Sequence, residues 1–365
     1  MRRKKMLILF ASLLFLTHVL CAQSTEKEYE HLLAPVKNYV VYQSKTPISI
    51  DGKVEEPDWK QVKWIDDFAD IEGDKKPAPL YRTRVKMLHD ATNLYILAEL
   101  EEPHIWATYD THDLIIYHEN DFEVFIDPDG DTHNYFEYEL NAKNTLLDLK
   151  MPMPYRNGGR ADIHWNSKGF ESAVCLEGTL NDPTDKDKNW TIEMKIPFAD
   201  LEVHQTPSDG QTWKIDFSRV EWQTHFVDGK YEKVKNPSTG HAYPENNWVW
   251  NPPGLINMHY PERWAMIQFS EKVAGNKTVD FKMPREEVAG KYLWLVYYKQ
   301  QDFKRKNGRY ANNLKELELN EETAGIKIEI SATAQQFTAK GLLKDGSVLL
   351  IDETGLFLTK NKTNE

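Results

Sequence analysis

Five acidic residues lie in strand-like segments and could take part in acid–base or hydrogen-bonding chemistry. They are Glu123, Glu137, Glu139, Glu193 and Asp216. Two carboxyl groups at a suitable separation can hydrolyse a glycosidic bond, one as the acid and the other as the nucleophile. Alternation of polar and apolar residues along a strand also requires polar side chains on the solvent face. The simplest interpretation is therefore a solvated sheet face, which is compatible with hydrogen bonds to sugar hydroxyls.

An acidic turn between two strand-like segments is the candidate metal site. Its sequence is Asp127-Pro128-Asp129-Gly130-Asp131, and alternating aspartates around a glycine resemble the start of a calcium loop. The full twelve-residue pattern with a terminal glutamate is missing. Asp and Gly also favour turns without any metal. We expect either a plain turn or a calcium site with Asp127, Asp129 and Asp131 as ligands.

Four histidines within thirty residues show no regular metal spacing. They are His104, His112, His118 and His133. Met151 and Met153 follow in sequence, and a His–Met pair is one of the ligand sets that hold haem iron. The chain has no haem attachment motif, no His-Glu-x-x-His signature, no phosphate loop and no Gly-x-Ser-x-Gly elbow. A haem or metal carrier stays open as an alternative.

Short strand-like segments separated by turns fill the chain from about residue 40 to residue 269. Phe122, Val124 and Ile126 alternate with mostly polar neighbours, and the same period of two recurs in residues 136–141 and 190–196. This period places one face of a strand on a core and the other toward water. Turn sequences containing glycine separate the segments. The pattern predicts a mainly β fold, an antiparallel, jelly-roll-like β-sandwich over residues 36–270.

Two later segments depart from this pattern. Residues 227–261 contain five prolines together with Trp248 and Trp250, and they are expected to form a long functional loop. Helical spacing begins at Pro284 and ends near Lys306, and short strands follow. Residues 284–360 are therefore predicted to form a small α+β unit.

The first 22 residues predict export. Basic residues precede an apolar run, and small residues close the segment before Gln23, which is the order of a secretory signal peptide. We expect cleavage near Ala22 and a periplasmic, cell-surface or extracellular protein that does not insert into a membrane afterwards. The formal net charge of −12 becomes more negative when the four basic residues of this segment are removed. Such a charge disfavours nucleic acids and acidic polysaccharides and leaves neutral glycans or cations as ligands.

Six short segments occur in an order that points to one family. The first is Ile50-Asp51-Gly52 with Trp59, and the others are residues 86–96, 120–128, 190–198, 217–219 and 259–265. The fourth of them reads Trp-Thr-Ile-Glu-Met-Lys-Ile-Pro-Phe. Together they resemble the sandwich of carbohydrate-binding module family 9 over about residues 40–269. DOMON-type domains, some of which bind haem, share that fold.

The resemblance implies a sugar site between two aromatic rings on the concave face of the sandwich. The position of one ring falls on Tyr117, with His118 beside it. The other ring comes from the long loop and is Trp250 or, as an alternative, Trp248. Glu123 on the central strand would hydrogen-bond sugar hydroxyls.

The predicted ligand-binding set also includes a basic residue, Arg219, from the segment 217–219. The family carries a further basic residue on the strand after Glu123. Here Glu137 and Glu139 lie on that strand instead. The chain therefore departs from the family pattern at the position that contributes to ligand preference.

These observations predict an exported, non-catalytic carbohydrate-binding protein that acts in polysaccharide recognition or degradation, alongside glycan-degrading enzymes. Two alternatives remain. One is a component of a glycoside hydrolase, for example of xylanase type, that uses a pair of the carboxylates. The other is a DOMON-like carrier of haem or a metal.

Overall fold

The computed structural model describes residues 29–320, 322–323 and 325–360. The predicted signal peptide, residues 1–22, lies outside the described residues. The chain divides into a larger unit, Val36–Arg285 with Thr354–Leu358, and a smaller unit that contains Glu286–Glu353. None of the helices in the described part of the chain has the length and apolar character needed to cross a membrane. Independent folding of the two predicted domains, residues 36–270 and 284–360, stays a prediction.

Twelve strands of the larger unit form one curled sheet. The strands of this unit are β1 (Asn38–Gln43), β2 (Ala69–Asp70), β3 (Thr83–His89), β4 (Asn93–Glu101), β5 (Asp121–Asp127), β6 (Tyr135–Asn141), β7 (Leu146–Met151), β8 (Glu171–Glu177), β9 (Asn189–Pro197), β10 (Thr212–Glu221), β11 (Thr224–Val227), β12 (Lys230–Lys233), β13 (Asn246–Val249) and β14 (Ala265–Val273). The sheet order is β7-β6-β5-β10-β14-β1-β3-β4-β9-β8, with β13 beside β10 and β2 beside β13. Strands β11 and β12 pair with each other as a hairpin.

Apolar side chains from distant strands of this sheet share one core. Phe122 and Val124 of β5 belong to the same cluster as Ile96 of β4 and Ile192 of β9. Because β5 and β9 lie near opposite ends of the sheet order, a shared core requires the two halves of the sheet to pack face to face. The predicted mainly β sandwich is confirmed.

One strand pairs differently from the antiparallel pattern that the sequence predicts. Strand β1 is parallel to β14 and also to β3, so the sheet is mixed. Its neighbours in the sheet, β14 and β3, are far from it in sequence. A parallel pair of strands needs such a long connection. Alternation within a single strand does not depend on the direction of its neighbours, so the sequence pattern could not distinguish the two arrangements.

A buried glutamate on β9 fastens the Gly52 segment to the sheet. Glu193 accepts hydrogen bonds from the backbone N–H groups of Asp51 and Gly52 at 3.0 and 3.2 Å. Its other oxygen accepts a bond from Trp59 Nε1 at 2.8 Å. Gly52 has a φ of +78°, and a Cβ there would lie 2.8 Å from Cys175 N, so only glycine fits. Residues that carry the family resemblance therefore hold the β8–β9 side of the sheet together.

The smaller unit combines one long helix with a five-stranded sheet. Its elements are α1 (Glu30–Leu33), α2 (Arg285–Asn307), β15 (Glu322–Thr323), β16 (Ile326–Ala332), β17 (Phe337–Leu343), β18 (Val348–Asp352) and β19 (Phe357–Lys360), of which Thr359 and Lys360 fall in this unit. Helix α2 begins after Pro284 and ends before Gly308, as the helical spacing predicts. A Cβ at Gly341 would lie 2.7 Å from a Leu293 methyl group and 2.3 Å from one of Ile326. This close approach packs α2 against β17.

Candidate functional site

Four carboxyl groups lie side by side on the sheet face opposite the core. Asp121 and Glu123 project from β5, Glu137 and Glu139 project from β6, and Glu123 lies directly across from Glu139. These four buried residues are called the acidic row. Ser218 of β10 lies across from Glu123 on the other side and is also buried. Residues two apart on a strand point to the same face, so the sheet register brings the row together.

Burial dominates the electrostatics of the acidic row. It raises the pKa of Glu123 to about 7, and together with the charge of Glu123 it raises the pKa of Glu139 to about 8. Burial, followed by the neighbouring carboxylates, raises the pKa values of Asp121 and Glu137 well above the usual range. The nearby Ser218 hydroxyl lowers the pKa of Glu123 in part. The charges that act most strongly on the row are all carboxylates, so within the described residues the chain does not neutralise it.

The expectation of a solvated polar face is wrong at this part of the sheet. Phe125 of β5 and Tyr135 of β6 point to the same face as the acidic row and join a second apolar cluster. Ile116 and Trp264, from outside these strands, complete that cluster. The covering residues come from turns and loops, so strand alternation could not reveal them. The other two candidate carboxylates, Glu193 and Asp216, are buried as well.

Two oxygen atoms of the acidic row lack a partner. Asp121 Oδ1 accepts a hydrogen bond from Val220 N, and Glu139 Oε2 accepts one from Tyr117 N, both at 3.1 Å. Asp121 Oδ2 and Glu137 Oε2 are buried without a hydrogen-bond partner among the described residues. One oxygen each from Asp121, Glu123 and Glu139 lie within 4.8 Å of one another. Buried acceptors are normally satisfied, so these atoms mark a place where a ligand can donate or coordinate.

Tyr117 stands at the edge of the acidic row in a short 3-10 turn, Ile116–His118. Its backbone is held by Glu139, and its carbonyl oxygen accepts a bond from Trp222 Nε1 at 2.9 Å. The residue is 41% exposed. Burial raises the pKa of the Tyr117 hydroxyl, and the charges of Glu139, Glu245 and Glu123 add to the rise. The predicted residues Tyr117 and Glu123 therefore occupy one environment.

Tyr155 is a second half-exposed ring beside the row, and the sequence analysis missed it. It opens the 3-10 turn Tyr155–Asn157 after β7 and is 45% exposed. Burial raises the pKa of its hydroxyl, followed by the charges of Glu137 and Glu139 and then by Tyr117. The Gly158-Gly159 pair after the turn was the available signal. A Cβ at Gly159 would lie 1.7 Å from the Met153 carbonyl oxygen, so the tight turn that presents Tyr155 needs glycine.

His259 supports this side of the site without supplying a charge. Its Nδ1 shares a hydrogen bond with the Tyr135 hydroxyl at 2.9 Å, and its ring meets the Tyr155 ring edge-on at 4.5 Å. Its Nε2 lies 3.9 Å from Glu137 Oε2. Burial lowers the pKa of His259 to about 4, and the charge of Arg156 lowers it further, so the imidazole is neutral near pH 7. It therefore positions Tyr155 and leaves Glu137 uncompensated.

The prediction that Trp250 or Trp248 forms an exposed stacking platform is wrong. Residues 227–261 are not one loop, since they contain β12 and β13, and Trp248 lies within β13. The two tryptophans are 1% and 3% exposed and belong to the sandwich core. The Trp250 ring packs against Phe217 at 5.8 Å, and the Trp248 ring packs against Tyr81 at 6.1 Å. Neither indole offers a free face to a sugar.

Arg219 is likewise a structural residue, not the predicted ligand contact. Its guanidinium is buried and lies 2.9 Å from Glu102 and 2.8 Å from Glu221. It also lies 5.4 Å from the centre of the Trp248 ring. Asn120 Nδ2 donates to both glutamates, at 3.3 and 2.9 Å. These partners neutralise the charge of Arg219 and accept hydrogen bonds from its N–H groups.

The predicted calcium turn brings its three carboxylates together. Oxygen atoms of Asp127, Asp129 and Asp131 lie within 4.8 Å of one another. Asp127 accepts bonds from Gly130 N and Thr132 N, each at 2.9 Å, which is the pattern of a self-capped turn. Both interpretations of the sequence fit this geometry, and calcium there stays a prediction.

A cavity of about 370 Å³ opens beside the predicted residue His118. Its lining consists of Trp106, Thr108, Tyr109, His118, Glu119, Tyr231 and Lys233. The Trp106 and Tyr231 rings stack at 6.3 Å, and Trp106 Nε1 is buried without a hydrogen-bond partner in the described part of the chain. His118 therefore contributes to this cavity, and Tyr117 next to it contributes to the acidic row.

The fold is that of a β-sandwich domain, with a buried acidic row flanked by the half-exposed rings of Tyr117 and Tyr155. The carbohydrate family 9 binding domain-like model matches residues 50–248, more than half of the chain, and the protein belongs to this family. The matched range covers the acidic row, Tyr117 and Tyr155. No curated protein matches the chain.

Several solved structures are similar to the chain. A protein from Bacteroides uniformis ATCC 8492, named provisionally for carbohydrate binding, is 17% identical with a TM-score of 0.47 over 65% of this chain and 100% of that one. A family 9 carbohydrate-binding module from Caldicellulosiruptor kristjanssonii in complex with cellotriose is 16% identical, with a TM-score of 0.41, over 66% and 99%. A module of the same family and organism in complex with glucose is 16% identical, with a TM-score of 0.42, over 66% and 100%.

Proposed function

We propose that the protein binds a neutral glycan at the surface beside the acidic row, where Tyr117 and Tyr155 are half-exposed. The observation that carries the proposal is a pair of half-exposed tyrosines beside buried carboxyl groups: Tyr117 N donates to Glu139 at 3.1 Å, and the Tyr155 ring contacts His259, whose Nε2 lies 3.9 Å from Glu137. Membership of the carbohydrate family 9 binding domain-like family supports the same ligand class. Tyr155 takes the place that the sequence analysis gave to Trp250.

The chemistry of the surface beside the acidic row suits a sugar. A tyrosine ring can pack on the apolar C–H face of a pyranose. Sugar hydroxyls can donate to the buried oxygens of Asp121 and Glu137 that have no partner among the described residues. Hydrogen bonds to charged acceptors are shorter and stronger than those between neutral groups. The negative net charge of the chain disfavours acidic glycans, so neutral polymers and their fragments are the proposed ligand class.

A glycan array followed by calorimetry tests this proposal. We expect Tyr117→Ala and Tyr155→Ala each to weaken binding of the best neutral hit by about 5- to 150-fold, which corresponds to about 1–3 kcal/mol for one stacked ring. Phe226→Ala is the matched control, because that ring is 42% exposed and lies in strand β11 of the separate hairpin. Unchanged affinity in both tyrosine variants, or an array without a neutral hit, would overturn the proposal.

We further propose that the protein is exported and acts without catalysis, beside enzymes that degrade the glycan. The order of basic, apolar and small residues in the first 22 positions supports export. The mature protein should begin near Gln23, and N-terminal sequencing checks this. Sugar release by the wild-type protein that disappears in Glu123→Gln would instead favour a hydrolase.

A further inference from the structure

The acidic row is distinctive because its charges are close together, buried and uncompensated by the described residues. Asp121, Glu123 and Glu139 each bring one oxygen into a group whose atoms lie within 4.8 Å of one another. No lysine or arginine is among the charges that act most strongly on them. Carboxyl groups this close together and this deeply buried either keep protons or are balanced by a cation from outside the chain.

An independent side chain points into the same group. Ser218 is fully buried on β10, and the strand register places it directly across from Glu123. No hydrogen bond of normal geometry joins its Oγ to any described residue, although the hydroxyl is close enough to affect Glu123. A buried hydroxyl oxygen that faces buried carboxyl groups is available to a cation as an oxygen ligand.

We propose that Asp121, Glu123, Glu139 and Ser218 form a site for one divalent cation, with Ca²⁺ as the best fit. Ca²⁺ takes six to eight oxygen ligands in flexible geometry and accepts carboxylates in one- or two-oxygen contact. Mg²⁺ demands stricter octahedral geometry and keeps more of its water, which suits a row of buried carboxylates less well. This site is separate from the Asp127–Asp131 turn and does not require that a glycan binds.

Calorimetric titration of chelator-treated full-length protein with CaCl₂ alone tests the site. The wild type should bind with a dissociation constant of about 10⁻³ M or lower, the range of weak protein calcium sites. We expect Glu123→Gln and Glu139→Gln each to weaken this binding at least about tenfold, because each removes a charged ligand. Glu271→Gln, which removes an exposed carboxylate of β14, is the matched control and should leave the titration unchanged, and Asp129→Asn separates any binding at the acidic turn from binding at the row.

Melting temperatures keep the test decisive if one variant folds poorly. Ca²⁺ should raise the melting temperature of the wild type and of Asp129→Asn, since a ligand that binds only the folded state stabilises it. It should leave Glu123→Gln and Glu139→Gln unaffected. The proposal is overturned if the wild type binds no Ca²⁺ at millimolar concentration, or if Asp129→Asn loses the binding that the two glutamine variants retain. Either result leaves glycan binding, which is measured with the tyrosine variants, as a separate question.

Discussion

Two buried groups of charged residues flank strand β10, and only one of them contains its own counter-charge. At one end Arg219 lies within 3 Å of both Glu102 and Glu221. In the acidic row the strongest interactions are between carboxylates. The first group is complete within the chain, and its role is to hold the sandwich together. The second has no counter-charge of its own among the described residues, so it is balanced either by protons that it retains or by a ligand.

The comparison separates structure from function in a way that residue type alone does not. Arg219 was a candidate from sequence because it is a basic residue in the segment 217–219 that carries the family resemblance. Glutamates on alternating strand positions are usually solvated. In this protein Arg219 is fully paired with its neighbours, whereas the glutamates of the acidic row remain available to a ligand. Burial and hydrogen-bond partners decide which polar group can bind a ligand.

The largest expected effect is on the compensated group. Arg219→Met keeps much of the side-chain volume but leaves Glu102 and Glu221 buried without their cation. We expect a loss of about 3–5 kcal/mol in the free energy of unfolding, measured by urea denaturation. Arg82→Met, which breaks only an exposed pair with Glu99 at 3.8 Å, should cost about 0–1 kcal/mol. Equal losses in the two variants would mean that the buried group is not what stabilises the fold.

The second prediction concerns the pH dependence of the acidic row. The folded-state pKa values of about 7 for Glu123 and about 8 for Glu139 lie above the unfolded value of about 4.3. Between about pH 4 and pH 8 the folded state therefore retains protons that the unfolded state has released. Without divalent cations, stability should fall as pH rises through this window by several kcal/mol, since one unit of pKa difference corresponds to about 1.4 kcal/mol.

The double variant Glu123→Gln/Glu139→Gln isolates that contribution. It removes the two titrating groups, so its melting temperature should decline less steeply between pH 5 and pH 8 than that of the wild type. Other acidic residues affect both proteins alike, and the difference between the two curves is the measured quantity. Parallel curves would contradict the proton retention assigned to the row.

The smallest of the stability effects is expected at Glu137, which belongs to the row but not to the proposed cation ligands. Glu137→Gln removes one buried carboxyl group whose pKa is raised and supplies an amide donor beside Glu139. At pH 8 in chelator we expect the free energy of unfolding to rise by about 1 kcal/mol, the equivalent of less than one pKa unit of relieved repulsion. A clear destabilisation in urea would show that Glu137 is satisfied by its surroundings.

The sequence predicted the fold well because the core follows directly from strand alternation. Phe122 and Val124 alternate with acidic residues, and these positions fill the sandwich core. Helix α2 was equally visible from its spacing and its terminal residues. The parallel pairing of β1 was not visible in the sequence, since it depends on which distant strands lie beside it.

The site was predictable only in part. Tyr117 and Glu123 were found through the resemblance, and they lie in one environment. Trp250 was predicted to lie in a loop. It lies in the core instead, because β13, which precedes it, pairs with β10. Tyr155 was missed because its approach to Glu137 and Glu139 arises from a turn folding over β6, a contact that no local pattern encodes.

A crystal structure of the protein with the best neutral glycan from the array tests the central claim most directly. We predict electron density for the sugar beside the acidic row, with one sugar ring packed on Tyr117 or Tyr155. Sugar hydroxyls should lie within hydrogen-bond distance of Asp121 or Glu137. Density at another surface, with the row covered by protein side chains alone, would contradict it.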